Sequence, residues 1–190
     1  MNSALIHTNL QQMTQFTDRE TLRKRARQHV EEGAVTEGYA ANREAVVRLL
    51  NDALATELIC VLRYKRHFFM AKGIHSESVK IEFLQHAAEE MTHADSIAKR
   101  IVELGGEPDF SPETLSARSH AEYKTGDTLV SMLKENLIAE RIAIESYREM
   151  VTYLGENDPT TQRMLKEILS MEEEHADDMA SLLDDISIKD

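Results

Sequence analysis

The sequence predicts an all-α protein: a four-helix bundle with a long crossover between its second and third long helices and a helical extension at the N-terminus. Three observations predict it. Only seven Gly and three Pro interrupt 190 residues that are otherwise rich in good helix formers. Apolar residues recur at three- and four-residue intervals in four long stretches, the spacing that builds one buried helix face. A polar pattern occurs twice on those faces: Glu57 precedes Glu90-Met91-Thr92-His93 by 33 residues, and Glu140 precedes Glu172-Glu173-Glu174-His175 by 32. Each half therefore reads as a long helix, a turn and a second long helix.

In chain order, residues 1 to about 16 show no periodicity and read as a loose arm. Thr17 and Glu20 form an S/T-x-x-E capping pair that opens a short helix expected to end near Gly33. Its Arg23, Lys24, Arg25 and Arg27 read as a solvated face. The first long helix is expected over 41–72, with Leu50, Ala53, Glu57, Cys60/Val61, Tyr64 and Phe68 inward. The second runs from Ser76 or Ser78 to Gly105-Gly106 and turns Phe83, Ala87, Glu90, His93/Ala94, Ile97, Ile101 and Leu104 inward. Residues 105 to about 126, with Pro112, read as a connection without a helix, long enough for a crossover topology. The third helix, 128–154, has the stripe Val130, Leu133, Leu137, Glu140, Ala143/Ile144, Tyr147 and Val151. Asp158-Pro159, an N-cap before a first-turn Pro, opens the fourth, with Leu165, Ile168/Leu169, Glu172, His175, Met179 and Leu182 inward. The expected division is an extension over 1–38 and the bundle over 39–190.

Composition narrows the setting. The one cysteine, Cys60, excludes an internal disulfide, fits a reducing compartment, and reads as core filling. No apolar run approaches the roughly 20 residues of a membrane span, and the first residues are too polar for a secretory signal, so the cytoplasm is expected. A net charge of −12 argues against duplex DNA as the main partner and suits attraction of cations.

An ionised carboxylate on an apolar stripe is costly to bury unless a cation meets it. Residues three apart on a helix share a face, so each Glu-x-x-His aims a carboxylate and an imidazole at one point. Together Glu57, Glu90, His93, Glu140, Glu172 and His175 make a site for two metal ions. Oxygen donors with one imidazole per metal suit iron or manganese. Glu57 and His93 serve one ion, Glu140 and His175 the other, and Glu90 and Glu172 bridge, a layout matched to the known pattern of di-iron carboxylate bundles. Positions remain open for O2 or H2O2. Tyr64 and Tyr147 each follow the lone Glu of their half by seven residues, so the site is expected to be near-symmetric, with tyrosines bonded to ligand carboxylates. His86 and His120 read as surface residues or as neighbours one layer out from the ligands.

On these residues the chain resembles bacterioferritin and its ferritin-like relatives over about residues 44 to 183. The likeness is strongest in Leu54-Ala55-Thr56-Glu57-Leu58, Glu89-Glu90-Met91-Thr92-His93-Ala94-Asp95 and Glu172-Glu173-Glu174-His175. The resemblance implies a ferritin-like four-helix bundle and a ferroxidase centre of two Fe ions on Glu57, Glu90, His93, Glu140, Glu172 and His175. It also implies a tyrosine beside the centre at Tyr64, and haem b bound by Met91 between two subunits of a homo-oligomer. Met91 lies ~100° round the helix from Glu90 and must face away from the core, which suits an interfacial haem or plain packing in a dimer. The chain departs from bacterioferritin in three ways. Only fifteen residues follow His175, so the fifth helix that lines the cage pores in that family is not expected here. The N-terminus and the crossover are longer. Gln85 and Glu89 stand where the family's inner-surface iron site has a His and an Asp.

The sequence therefore reads as a ferroxidase that oxidises Fe(II) with O2 or H2O2, for iron detoxification or storage. Two rivals keep the same ligands: a rubrerythrin-like peroxidase or manganese catalase without storage, and a haem-binding or structural dimer whose metal only holds the bundle. A mini-ferritin coating DNA through the basic helix fits less well, since such proteins place their ligands across a subunit interface.

Overall fold

The structure, a computed structural model, describes residues 16–187, without the side chain of Ser187. The arm expected over the first fifteen residues lies outside this range. By its contacts the chain divides into two compact units, Met1–Gly38 and Tyr39–Asp190.

In the first unit, helix α1 spans Arg19–Arg25. Its N-cap is Asp18 and not the expected Thr17: the Asp18 carboxylate accepts from the Glu20 amide at 2.9 Å and the Thr21 amide at 3.0 Å. A carboxylate satisfies two free amides and opposes the positive helix end, which a hydroxyl at Thr17 cannot do as well. The helix also stops short of Gly33. His29 takes a left-handed conformation at φ 50°, which breaks helical continuity, and a separate 3-10 turn follows at Val30–Glu32.

The second unit holds α2 (Arg43–Met70), α3 (Ser76–Glu103), the single turn α4 (Leu115–Arg118), α5 (Leu129–Leu154) and α6 (Pro159–Ser187). Antiparallel α2 and α3 form one hairpin, and α5 and α6 the other; the hairpins meet through α2 with α5 and α3 with α6. Three of the four long helices start at a side-chain cap. Asn42 Oδ1 accepts from the Ala45 amide at 3.0 Å, Thr128 and Ser131 form a reciprocal capping box, and Asp158 accepts from the Thr161 amide at 2.9 Å. At the close of α3, a Cβ on Gly106 would lie 2.6 Å from Val47 Cγ1, so only glycine lets the chain leave the bundle there. The predicted inward residues are buried along all four helices, with Phe68, Val130, Leu137, Val151, Leu169 and Leu182 only partly so.

The connection between α3 and α5 differs from the expectation in carrying α4. Its Leu115 packs into a small cluster with Ala55 and Ile59, which rewards one helical turn in an otherwise irregular segment. The crossover is laced to α2 by side chains that cap its backbone. Asn51 Oδ1 accepts from the Asp109 amide at 2.7 Å, and Thr56 Oγ1 accepts from the His120 amide at 2.9 Å. Arg63 Nη1 donates to the Glu122 carbonyl at 3.3 Å, and His67 Nε2 lies 3.0 Å from the Thr125 carbonyl.

At the other end of the bundle, buried Asp158 joins three elements. Arg100 of α3 donates to it at 3.0 Å, Tyr39 at 2.9 Å, and the Thr161 amide of α6 at 2.9 Å. Burial pushes the Asp158 carboxyl up, but the Thr161, Tyr39 and Arg100 partners outweigh it and hold the group below its ordinary value. Asp158→Ala should therefore cost about 2 kcal/mol, since it removes a cap and the buried one of the two carboxylates paired with Arg100, leaving Glu103. Chemical denaturation checks this, and Asp158→Asn, which keeps the cap, should cost less.

Candidate metal centre

Six buried donors meet at mid-bundle. Glu57 comes from α2, Glu90 and His93 from α3, Glu140 from α5, and Glu172 and His175 from α6. Their atoms form two overlapping groups: Glu57, Glu90, His93 and Glu172, and Glu90, Glu140, Glu172 and His175, each within 4.8 Å internally. Glu90 and Glu172 belong to both. His93 Nδ1 lies 3.0 Å from Glu172, 3.3 Å from Glu57 and 3.5 Å from Glu90, and His175 Nδ1 lies 3.5 Å from Glu90 and 3.7 Å from Glu172. One nitrogen nearly equidistant from several carboxylates is placed for a common centre, not for one hydrogen bond.

Both oxygens of Glu90, both of Glu172, Glu140 Oε2 and His175 Nδ1 are buried with no hydrogen-bond partner of acceptable geometry. Buried polar atoms are nearly always satisfied, and such a convergence of acceptors is what a pair of hard cations would complete. Glu57 Oε2 meets His93, and one oxygen each of Glu57 and Glu140 is held from outside the cluster. Tyr64 of α2 donates to Glu140 of α5, and Tyr147 of α5 donates to Glu57 of α2, so each tyrosine orients the lone Glu of the opposite half. His175 Nε2 lies 2.9 Å from Glu89, which fixes its Nδ1 inward.

The electrostatics describe a cluster short of positive charge. Burial, then the charges of Glu90 and Glu172, push the carboxyls of Glu57 and Glu140 well above their ordinary range. Burial alone would lower the two imidazoles, but the surrounding carboxylates outweigh it and raise His93 to about 12 and His175 to about 11. Glu90 goes the other way: burial raises it, and the closeness of Glu57, His175 and His93 brings it below its usual value. Without cations the cluster neutralises itself with protons.

The structure places the remaining candidates apart from this centre or beside it. Met91 is 39% exposed on the outer side of α3, facing away from the ligands. Cys60 is buried among Ala121 and Ala139, where its sulfur accepts from Arg63 at 3.4 Å. His120 is exposed and bonded to Thr56. His86 is not at the surface: it is fully buried, stacked on the His175 ring at 4.0 Å, with Nδ1 3.2 Å from the Tyr64 hydroxyl. Its spacing gave the signal, since His86 lies one turn before Glu90 on the inward face. Arg63, His67 and Asn136 were missed as buried residues. Arg63 Nε donates to Asn136 Oδ1 at 2.8 Å, and His67 Nδ1 lies 3.2 Å from the same oxygen.

Among the described residues, no helix is long and apolar enough to cross a membrane. The family described as Ferritin-like domain matches residues 47–188. A bacterioferritin of Desulfovibrio desulfuricans is 28% identical over 141 residues, 72% of this chain and 75% of that protein. A DNA protection during starvation protein of Halobacterium salinarum is 33% identical over 147 residues, 75% of this chain and 80% of that one. In structure, a dodecameric thioferritin of Bacteroides fragilis, described as bacterioferritin-related, superposes with TM-score 0.76 at 33% identity, covering 79% of this chain and 90% of that chain.

Because Glu57, Glu140, His93 and His175 hold protons in the folded metal-free chain that they give up when unfolded, stability falls as pH rises. The loss begins above the ordinary carboxylate value of 4.5, passes the imidazole value of 6.5, and continues toward the raised values. The melting temperature of metal-free protein should drop between about pH 6 and 9, and two equivalents of a divalent metal should flatten that slope and release protons on binding. An unbuffered titration that shows no acidification contradicts this.

Proposed function

The chain belongs to the ferritin-like domain family, and on that premise we propose that it oxidises Fe(II) at a dinuclear centre, as a ferroxidase serving iron detoxification or storage. The observation that carries the reading is the set of buried, unpartnered carboxylate oxygens shared between two donor groups at mid-bundle. Two Fe(II) ions are the substrates. Glu57 with His93 receives one and Glu140 with His175 the other, while Glu90 and Glu172 span both. Two Fe(II) give two electrons: H2O2 with two protons goes to two waters, and O2 with two protons goes to H2O2. Protons displaced from the carboxyls and imidazoles by the incoming iron are the local supply. Tyr64 and Tyr147 keep Glu140 and Glu57 aimed inward as that charge changes, and Glu89 does the same for His175. A one-electron donor role for Tyr64 is a narrower part of this proposal.

The same donors accept Mn(II), so a manganese-dependent or peroxidase reading without storage shares the site. Oligomeric state and loading separate the readings. A large homo-oligomer, such as the dodecamer of the Bacteroides fragilis relative, that accumulates many irons per chain supports storage, and a small oligomer with about two removes it. A haem reading rests on exposed Met91 paired with a second copy, and a Soret band in the purified protein tests it. The division into an extension and a bundle, and a cytoplasmic setting that keeps the Cys60 thiol reduced, belong to the same proposal. A second reading, binding of DNA, draws on the name of the Halobacterium salinarum relative and on the exposed Arg23, Lys24, Arg25 and Arg27. The charge of −12 opposes it, and no mobility shift at about 50 mM salt would dispose of it.

Glu90→Ala or Glu172→Ala should slow rapid Fe(II) oxidation by more than about 100-fold, because each removes a ligand to both ions, whereas Tyr64→Phe should weaken metal binding by about 10-fold through a loosened Glu140. Stopped-flow absorbance under O2 or H2O2 reads the first, and wild-type rates in either Ala variant would refute the assignment.

A further inference from the structure

Next to the dinuclear cluster, a second group of donors reaches the protein surface. Glu82 and His86 lie one turn apart on α3, and Asp178 faces them from α6; their donor atoms lie within 4.8 Å of one another. His86 Nε2 is 3.3 Å from Asp178 Oδ2 and 3.9 Å from Glu82 Oε2. Donors bound to one ion at about 2.1 Å sit roughly 3 to 4 Å apart, so little movement is needed to close on a cation. The imidazole is fully buried, whereas the carboxylates are part-exposed, at 35% for Glu82 and 47% for Asp178. The group thus opens outward and is anchored inward.

The tautomer of His86 decides what the group is for. Tyr64 donates to Glu140, so the Tyr64 oxygen is left as an acceptor. His86 Nδ1, 3.2 Å from that oxygen, must then donate. In the neutral ring this leaves a lone pair on Nε2, pointed at two carboxylates that are themselves only acceptors. Burial and the charges of Asp178 and Glu89 also hold the Glu82 carboxyl above its ordinary range, a crowding that a cation relieves.

We propose that Glu82, His86 and Asp178 form a third divalent-cation site, a staging position for Fe(II) between solvent and the dinuclear centre. The staging role rests on the ferroxidase reading. The cation is linked to that centre through the His86 ring, stacked on His175 and bonded to Tyr64. A proton on Nε2 in place of the ion is the competing arrangement, and it binds no third metal.

The experiment titrates metal-free full-length protein with Co(II) without oxygen and counts ions per chain by equilibrium dialysis. The wild type should bind three, the Glu82→Gln/Asp178→Asn double variant two, and Glu172→Ala should keep the ion at the outer site. Mn(II)-soaked crystals of the wild type should show an anomalous peak beside His86 Nε2. Two ions on the wild type, or three on the double variant, overturns the proposal. A dinuclear reading that fails shows itself differently, as unchanged stoichiometry in Glu172→Ala.

Discussion

The bundle is built around a charge problem that its own side chains do not solve. Four carboxylates and two imidazoles sit on otherwise largely apolar stripes, and all six are buried. In that setting charges of one sign repel strongly, and the metal-free chain answers by keeping protons on Glu57, Glu140, His93 and His175. Two dications can take the place of those protons with the net charge unchanged. The same constraint explains why each lone Glu is bonded by a tyrosine from the other hairpin: a donor with no charge of its own holds a carboxylate in place without competing for the cation.

Those crossed tyrosine bonds also tie chemistry to fold. Tyr64 and Glu140 sit on different hairpins, as do Tyr147 and Glu57, so the contact that orients a ligand also fixes the two hairpins against each other. Further along α2 a second polar layer does comparable work for the crossover. Arg63 and His67 share the Asn136 oxygen from α5 and reach the backbone carbonyls of Glu122, Lys124 and Thr125. An irregular segment has no ladder of its own to satisfy its carbonyls, and buried donors on the adjacent helix supply it.

What could be read from the sequence and what could not divide along physical lines. The four long helices were legible because their apolar spacing and, for the last of them, the cap at Asp158 are local properties. The six cluster residues were legible because a repeated spacing puts them on buried stripes. Arg63, His67 and Asn136 were not, because apolar spacing carries no mark of a polar residue turned inward toward a crossover, whose position is a tertiary fact. Thr17 matched a capping pattern, yet Asp18 next to it offered the stronger acceptor. The α4 turn depends on where Leu115 lands against Ala55 and Ile59, which is a tertiary fact.

The repeat predicts a near-symmetric centre, and the layer behind the ligands breaks that symmetry. His175 is fixed by Glu89 at Nε2 and stacked on His86, while among the described residues no carboxylate pairs with Nε2 of His93. His93 is also 7% exposed against 1% for His175. The equivalent ligands therefore differ in stiffness and in access to water, although the sequence writes them alike. An ion on the His175 side would meet a braced imidazole, and one on the His93 side a looser one. A duplicated pattern sets where the six donors meet, and the unduplicated residues around it make the two halves differ.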